Sequence, residues 1–285
     1  MTRRTFLKNF GFISSILLFF GQVPKLLWAG KWEHSRKSFW KKKRFFQKTV
    51  DVSHYKDGII RARIDGQWQE FKIRETNKAF IKWNLKSRIE FLEQIKTGKM
   101  PGLAGPHSGA VATYGLGRLD SKFTVNNAIK GIGLAPKDKF LDKAIKRLEE
   151  TYKESMPRKM DVLRTFYEDE NFVDWRKQTS LELYSTPDFE THTFLNAMEN
   201  PVATIVFCDI PSFELRTIVR IVHPEDETAL DSEKKLLKFV NLAHSYMHGE
   251  FSRKFPLLLF YIIEEFDNTP GSKRGIRVVP KRPVE

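Results

Sequence analysis

The chain changes its hydrophobic period along its length, and each change predicts a structural element. Between residues 59 and 73, two alternating runs flank Asp65-Gly66, a dipeptide typical of the tight turn in a β-hairpin. From about Lys78 to Lys96, apolar residues recur at intervals of three and four, which predicts a helix with one buried face. Strands and helices are therefore expected to share one domain.

Two further helical regions are predicted in the middle of the chain. Pro136 is expected at the first position of a helix, because its fixed φ suits a first turn and apolar residues follow at helical spacing. The second region runs from about Met160 to Tyr184 and is expected to break near Asn171.

Residues 200–280 are predicted to form a compact unit of strands and one long helix. The expected strands are 202–209, 215–223, 256–264 and 275–279, and the expected helix is 231–248, ended by Gly249. Because strands and helices do not alternate regularly, the sequence predicts the α+β class, with a mixed or antiparallel sheet and several helices.

Residues 98–135 hold eight of the 16 glycines and are predicted to form a glycine-rich loop. Glycines let backbone N–H groups approach a phosphate closely, and Arg118 would add a fork of donors. The pattern is neither a Walker loop nor a Rossmann fingerprint, so a surface loop with several turns is the alternative. The candidate cofactor-binding residues are Gly105, His107, Ser108, Gly109, Tyr114, Gly115, Gly117 and Arg118.

Composition is that of a globular protein, with 41% hydrophobic residues, but the net charge of +14 raises the question of a nucleic-acid partner. Residues 1–29 carry +4 and residues 30–56 carry +7, which leaves +3 for residues 57–285. Because the charge is concentrated at the N-terminus and no nucleic-acid-binding motif is present, lipid contact or a solvated linker is favoured over nucleic acid.

The N-terminal residues have the pattern of a targeting signal. Residues 2–8 read Thr-Arg-Arg-Thr-Phe-Leu-Lys, and the apolar stretch 10–20 follows. This segment resembles a twin-arginine (Tat) signal, which implies export of the folded protein by the Tat translocase to the periplasm. Its apolar stretch is shorter than the roughly 20 residues of a membrane span. Residues 1–29 are therefore either a signal peptide cleaved after Ala29 or an uncleaved anchor helix. The signal residues are Arg3, Arg4, Phe6, Leu7 and Lys8.

Residues 30–56 are predicted to tether this signal to an α+β globular domain of residues 57–285. The segment mixes aromatic and basic residues, among them Trp40 and Lys41–Arg44. That composition suits an interfacial helix on a membrane. The alternative is a basic tether whose aromatic residues dock on the globular domain.

Cys208 is the only cysteine, which excludes an intramolecular disulfide and covalent c-type haem. Because it lies in an apolar run, it is predicted to be a small buried hydrophobe, with a catalytic thiol as the alternative.

Two patterns are candidate metal sites. His244 and His248 lie four residues apart on a predicted helix, where both imidazoles would share a face and bind a metal or flank a haem. A core-facing helix also explains them. Asp188, Glu190 and His192 would share one face of an extended segment and hold a divalent cation, whereas a helix that begins there would separate them.

Residues 194–205 read Phe-Leu-Asn-Ala-Met-Glu-Asn-Pro-Val-Ala-Thr-Ile. This segment resembles the passage from a helix into the first strand of flavin-binding split-barrel proteins. The resemblance covers these residues only, and a long predicted helix soon replaces the strands expected of that family.

These features predict an exported or membrane-tethered periplasmic protein that folds before export and is cofactor-binding or redox-associated. The candidate cofactors are a flavin, haem or a divalent metal. The candidate partners are the Tat translocase, the inner-membrane surface and a partner redox subunit. Two alternatives stay open: a non-catalytic accessory or assembly subunit of an envelope complex, and a metal-dependent hydrolase.

Overall fold

The computed structural model describes residues 39–100, 102, 104–116, 118–271 and 275–281. The predicted export signal and the first part of the predicted tether lie outside these residues. Of the helices in the described ranges, none is long and apolar enough to cross a membrane.

Helices and antiparallel strands share the chain, which confirms the predicted α+β class. The elements in chain order are β1 (Val50–Asp51), β2 (Ile59–Ile64), β3 (Gln67–Lys72), α1 (Lys78–Lys96), β4 (Ser108–Thr113), β5 (Asn126–Gly131), β6 (Gly133–Pro136), α2 (Asp138–Glu150), α3 (Met156–Tyr167), β7 (Val173–Leu181), α4 (His192–Glu199), β8 (Val202–Phe207), β9 (Phe213–Val222), α5 (Asp231–His248), β10 (Leu257–Asp267) and β11 (Ile276–Val279).

The elements with the strongest local signals lie where the sequence predicts them. The hairpin of β2 and β3 turns at Asp65 and Gly66, whose φ angles of 49° and 84° are those of the turn that joins twisted strands most easily. α1 begins after Asn77, whose side chain accepts a hydrogen bond from the Phe80 backbone N–H. α5 has the predicted bounds, and the four strands of residues 200–280 are confirmed within a few residues.

The chain forms a three-stranded sheet of β1, β2 and β3 and an eight-stranded sheet, and the eight-stranded sheet closes into a barrel. Its strand order is β5-β4-β8-β9-β10-β7-β6, and β11 pairs with β10. β5 and β6 lie at opposite ends of this order, yet only Ile132 separates them in the chain. Residues 126–136 therefore behave as one long strand that pairs with β4 through its first half and with β7 through its second. This strand joins the two edges of the sheet, so the barrel has no free edge there.

Two apolar cores lie on the two faces of this barrel. The interior is filled by residues such as Val111, Ile205 and Phe260, to which α1 adds Phe80 and α4 adds Phe194. The outward residues of β9 and β10 pack under the helices α2, α3 and α5 in a second core. The outer faces of β4 and β5 lie outside that helical layer.

The described part of the tether docks on the barrel. The Trp40 ring lies 5.8 Å from the Phe194 ring, and the Phe45 ring lies 4.9 Å from it. Residues 39–49 contain no helix, so an interfacial helix is wrong for this part and the docked alternative holds. Burial of the aromatic rings against α4 outweighs a helical arrangement that would leave them exposed.

The glycine-rich stretch is not one loop, because it contains β4, β5 and β6. Gly109 shows why small residues suit these strands. A Cβ at this position would lie 2.7 Å from Cγ2 of Ile205 inside the barrel.

Three other predictions were wrong. Residues 160–184 were predicted to be helical, but α3 ends at Tyr167 and residues 173–181 form β7. The polar residues of β7, including Asp174 and Lys177, are buried in ion pairs, so the strand lacks the alternation of apolar and polar residues that would predict it. Pro136 ends β6, and α2 begins at Asp138. Cys208 is exposed rather than buried, because β8 ends at the inward-pointing Phe207 and the next residue faces solvent.

Candidate functional site

Polar groups from two segments meet at the N-terminus of α4: the side chains of Arg118, Asp120 and His192 and the backbone oxygen of Glu190. We call these four residues the α4 cluster. Nη1 of Arg118 donates to the backbone oxygen of Glu190 at 3.3 Å. Nε2 of His192 lies 3.3 Å from Oδ1 of Asp120. The structure therefore brings Arg118, from the predicted cofactor-binding set, next to Glu190 and His192, from a predicted metal set.

Local capping fixes where α4 begins. Oγ1 of Thr191 accepts a hydrogen bond from the Phe194 backbone N–H at 3.1 Å, and Oγ of Ser185 accepts one from the Thr191 N–H. His192 is thus the first residue of the helix, where the unpaired N–H groups create a positive potential.

Arg118 forms a bidentate ion pair with the two carboxylate oxygens of Asp120. Nε of Arg118 donates to Oδ1 at 3.1 Å, and Nη2 donates to Oδ2. The guanidinium carbon also lies 5.0 Å from the centre of the Phe189 ring. The hydrogen bonds from Arg118 lower the pKa of Asp120 below its usual value. The Arg118 side chain is 15% exposed and that of Asp120 is 40% exposed, so a largely buried guanidinium pairs with a carboxylate at the protein surface.

A second polar group continues from the cluster into the barrel. Nδ2 of Asn126 donates to Oγ1 of Thr193 at 3.0 Å. Nζ of Lys130 lies 2.9 Å from Oε2 of Glu182, and Oγ of Ser185 donates to the other Glu182 oxygen at 3.2 Å. These contacts tie β5, the end of β7 and the residues before α4 into one framework, which holds the cluster in place.

His107 lies away from this cluster, against α1. Its ring centre is 4.1 Å from that of Phe91, and Nε2 is 3.1 Å from the backbone oxygen of Gly102. Burial and the nearby Arg88 lower the pKa of His107 to about 4, so the ring is neutral at pH 7 and Nε2 donates to Gly102. Gly105 precedes it in the left-handed region, at φ 118°.

The other candidate cofactor-binding residues have separate roles. Ser108 and Gly109 belong to β4. Tyr114 donates a hydrogen bond to Asp65 at 3.1 Å. A Cβ on Gly115 would lie 3.2 Å from Asn200, which explains glycine there, and Gly117 lies outside the described residues. Among the members of the predicted set that the structure describes, only Arg118 reaches the α4 cluster.

His244 and His248 share one face of α5, as predicted, with ring centres 4.8 Å apart. The Phe251 ring stacks on His244 at 4.7 Å. Loss of hydration lowers the pKa of both imidazoles, that of His244 to about 4. His244 is half-buried and packs against the Phe251 and Phe255 rings, whereas His248 is exposed. The core-facing alternative is therefore supported for His244, whereas His248 lies at the surface.

Asp188 does not join Glu190 and His192. It lies exposed in the turn from Thr186 to Phe189, whereas His192 already belongs to α4. Across the described ranges, no three His, Cys, Asp or Glu side chains are placed to hold a metal ion. The helix start therefore separates this predicted metal set.

Sequence reasoning missed Asp120, Lys130 and Glu182. The Arg118-x-Asp120 spacing is a local signal for the first, because residues two apart in an extended turn can pair. Lys130 and Glu182 meet only because the long strand 126–136 reaches across to β7, and their separation in sequence carries no signal.

Comparisons with known proteins find similarity to solved structures. No protein-family model matches the chain, and no curated protein matches it. The crystal structure of a tagged form of HupZ from Group A Streptococcus is similar over 65% of this chain and 97% of that chain, with 12% identity and a TM-score of 0.33. A likeness at this level carries no inference about function.

Proposed function

We propose that this chain is an envelope protein that is exported in folded form by the twin-arginine pathway and binds an anionic cofactor at the α4 cluster. The observation that supports this binding site is the bidentate ion pair between Arg118 and Asp120, which lies beside His192 and the start of a helix. The twin-arginine signal supports a protein that folds, and takes up any cofactor, before it crosses the inner membrane.

The geometry already binds a carboxylate, and that carboxylate is replaceable. Asp120 lies in residues 119–125, all of which are exposed. Its carboxylate is therefore hydrated when it separates from Arg118. Arg118 keeps its contacts with Phe189 and the Glu190 backbone oxygen. A phosphate or carboxylate of a ligand offers the same paired oxygens to the guanidinium, so Asp120 acts as an internal stand-in for the ligand.

Among the candidate cofactors, flavin mononucleotide is favoured. Its phosphate suits the Arg118 fork and the helix N-terminus. The segment that resembles flavin-binding split-barrel proteins is also the segment that forms α4 and enters β8. Haem carboxylates would offer the same charge, and the absorption spectrum distinguishes the two. A divalent metal has less support, because the described residues bring no three suitable ligands together.

The first experiment is purification of the full chain from the envelope in mild detergent, followed by an absorption spectrum. We expect the spectrum of a bound flavin and its loss in Arg118→Gln. Arg216→Gln is a matched control, because Arg216 also pairs with a carboxylate two residues away, Glu214 at 2.9 Å, and stacks on Phe266 at 4.0 Å. A colourless wild-type protein that takes up no added flavin, or equal loss in both variants, would contradict the proposal.

A second candidate function is that of a non-catalytic accessory subunit. The exposed apolar side chains of Leu119, Phe123 and Val125 favour a protein that works in contact with another chain. A stoichiometric envelope protein that co-purifies with a colourless chain would support this candidate. For a metal-dependent hydrolase, the described residues offer no favourable observation.

A further inference from the structure

Three consecutive lysines form an exposed turn in the docked part of the tether. The Lys41 N–H donates to the backbone oxygen of Arg44 at 2.7 Å, and the Arg44 N–H donates to that of Lys41 at 3.2 Å. Lys42 and Lys43 therefore lie at the tip of a tight turn, and residues 41–43 are all exposed. We call Lys41, Lys42 and Lys43 the lysine turn.

The residues on either side hold this turn in one place on the domain. Before it, the rings of Phe39 and Trp40 pack against the Phe194 ring of α4, with ring centres 6.1 and 5.8 Å away. After it, the Gln47 side chain is buried and donates to the backbone oxygen of Ala197 at 2.9 Å. The folded domain, rather than a loose linker, thus presents the lysine turn to solvent.

The domain does not neutralise the charge of the lysine turn. Among the described residues, no carboxylate lies within 4 Å of these three amines. The acidic residues beside the turn, Glu225 and Glu227, pair instead with Arg44. Three positive charges therefore project together into solvent, where they can attract an anionic partner.

The shape of the turn does not account for lysine at its tip. Lys42 has a φ of 60°, in the left-handed region that Asn or Gly adopts at lower cost. The hairpin turn at Asp65 and Gly66 contains the residue types that this conformation favours. The contribution of Lys42 is therefore its side-chain charge rather than its backbone conformation.

We propose that the lysine turn binds the phosphate groups of anionic phospholipids and so orients the domain on a membrane surface. This inference does not depend on cofactor binding at the α4 cluster. Position in the chain favours a lipid partner, because the turn begins 21 residues after the end of the apolar stretch 10–20. Between them, residues 30–38 carry three further Lys/Arg against one acid. A cluster of cations close to an apolar segment is typical of chains that bind anionic lipid.

A nucleic acid suits the same charge less well. Proteins that bind single strands add aromatic side chains on which the bases stack. The rings next to the lysine turn are engaged within the domain, since Trp40 lies 4.9 Å from Phe45 and 5.8 Å from Phe194. Three cations are also few for a duplex, for which about six to ten phosphate contacts are common. On an anionic membrane, by contrast, each lysine strengthens binding about fivefold, and three strengthen it about 100-fold.

The test is binding to lipid vesicles of the chain as it is purified from the envelope, measured by flotation. One set of vesicles is neutral phosphatidylcholine, and the other contains about one third phosphatidylglycerol. The ratio of the two partition coefficients isolates the effect of charge, because an apolar segment contributes to both. We expect this ratio to fall at least 30-fold when all three lysines of the turn are replaced by glutamine, and to fall similarly for the wild type in high salt.

Two further variants separate the lysine turn from charge in general and from folding. The combination of Lys139→Gln, Lys143→Gln and Lys153→Gln removes the same charge from exposed residues on and beside α2, and should change the ratio less than threefold. Lys42→Asn keeps a residue that suits the turn, so its melting curve should match that of the wild type while the ratio falls about fivefold.

Three results would overturn the proposal. The first is an equal ratio for the wild type and the variant that lacks the three lysines of the turn. The second is an equal loss in the two triple variants, which would make the effect one of net charge alone. The third is tighter binding to a single-stranded oligonucleotide than to anionic vesicles, with loss of that binding when the lysine turn is replaced.

Discussion

Replacing Glu265 with glutamine is expected to stabilise the protein at neutral and alkaline pH. Glu265 is fully buried on β10, where Oε2 accepts a hydrogen bond from the Asn77 backbone N–H at 2.7 Å. Oε1 has no hydrogen-bond partner in the described structure. Burial raises the pKa of Glu265 to about 7, against the lowering effect of the Asn77 hydrogen bond, and the nearby Asp267 raises it further.

The direction of the pH effect follows from proton binding. Between the ordinary pKa of 4.5 and about 7, the folded protein holds a proton on Glu265 that the unfolded chain has lost. The free energy of unfolding therefore falls as pH rises through this interval. A tenfold change in proton affinity corresponds to about 1.4 kcal/mol, so the ionised carboxylate costs the folded state about 3 kcal/mol above pH 7.

Glutamine keeps an acceptor for Asn77 and removes the charge. Urea unfolding at a series of pH values should show Glu265→Gln more stable than wild type by about 2–3 kcal/mol at pH 8, and equal to it below pH 4.5. Glu264→Gln is the control, because the neighbouring Glu264 forms partly exposed ion pairs with Arg277 and Arg216, and we expect a change of less than about 1 kcal/mol. Equal stabilities of wild type and Glu265→Gln at pH 8 would refute the reasoning.

Two other predictions concern the barrel and the export signal. Gly109→Ala should lower the free energy of unfolding by about 1–3 kcal/mol, because its Cβ would lie 2.7 Å from Ile205, whereas Gly131→Ala, with no atom within 4 Å of the added Cβ, should change it far less. Chemical unfolding of both variants checks this, and similar losses would contradict it. Replacement of Arg3 and Arg4 by lysine should keep the protein in the cytoplasm, as judged by cell fractionation. Periplasmic or membrane-bound material in normal amounts would show that these arginines are not an export signal.

The sequence predicted the elements whose signals are local. The β2–β3 hairpin depends on two turn residues, Asp65 and Gly66, and α1 depends on a cap and a regular apolar face. β7 was missed because its polar residues are buried by partners distant in sequence. Lys177, for example, donates a hydrogen bond to Tyr55 at 2.9 Å and lies 3.2 Å from Asp174.

Local sequence patterns also did not predict that the sheet closes into a barrel. Closure depends on the change of partner at Ile132, where one long strand leaves β4 and joins β7. The candidate site was predicted in pieces for the same reason. Arg118 and His192 were each identified from their own segments, but their meeting at the start of α4 follows from the packing of β5 against that helix.

The most direct test of the proposed function is a titration of flavin mononucleotide into apoprotein of wild type, Arg118→Gln and Asp120→Asn. If Asp120 is the internal stand-in for the phosphate, its removal frees the Arg118 fork, so Asp120→Asn should bind at least as tightly as wild type and more tightly at low salt. Arg118→Gln should bind at least tenfold more weakly. Equal weakening by both substitutions would make the pair a structural contact only, and would contradict an anion-binding site at the start of α4.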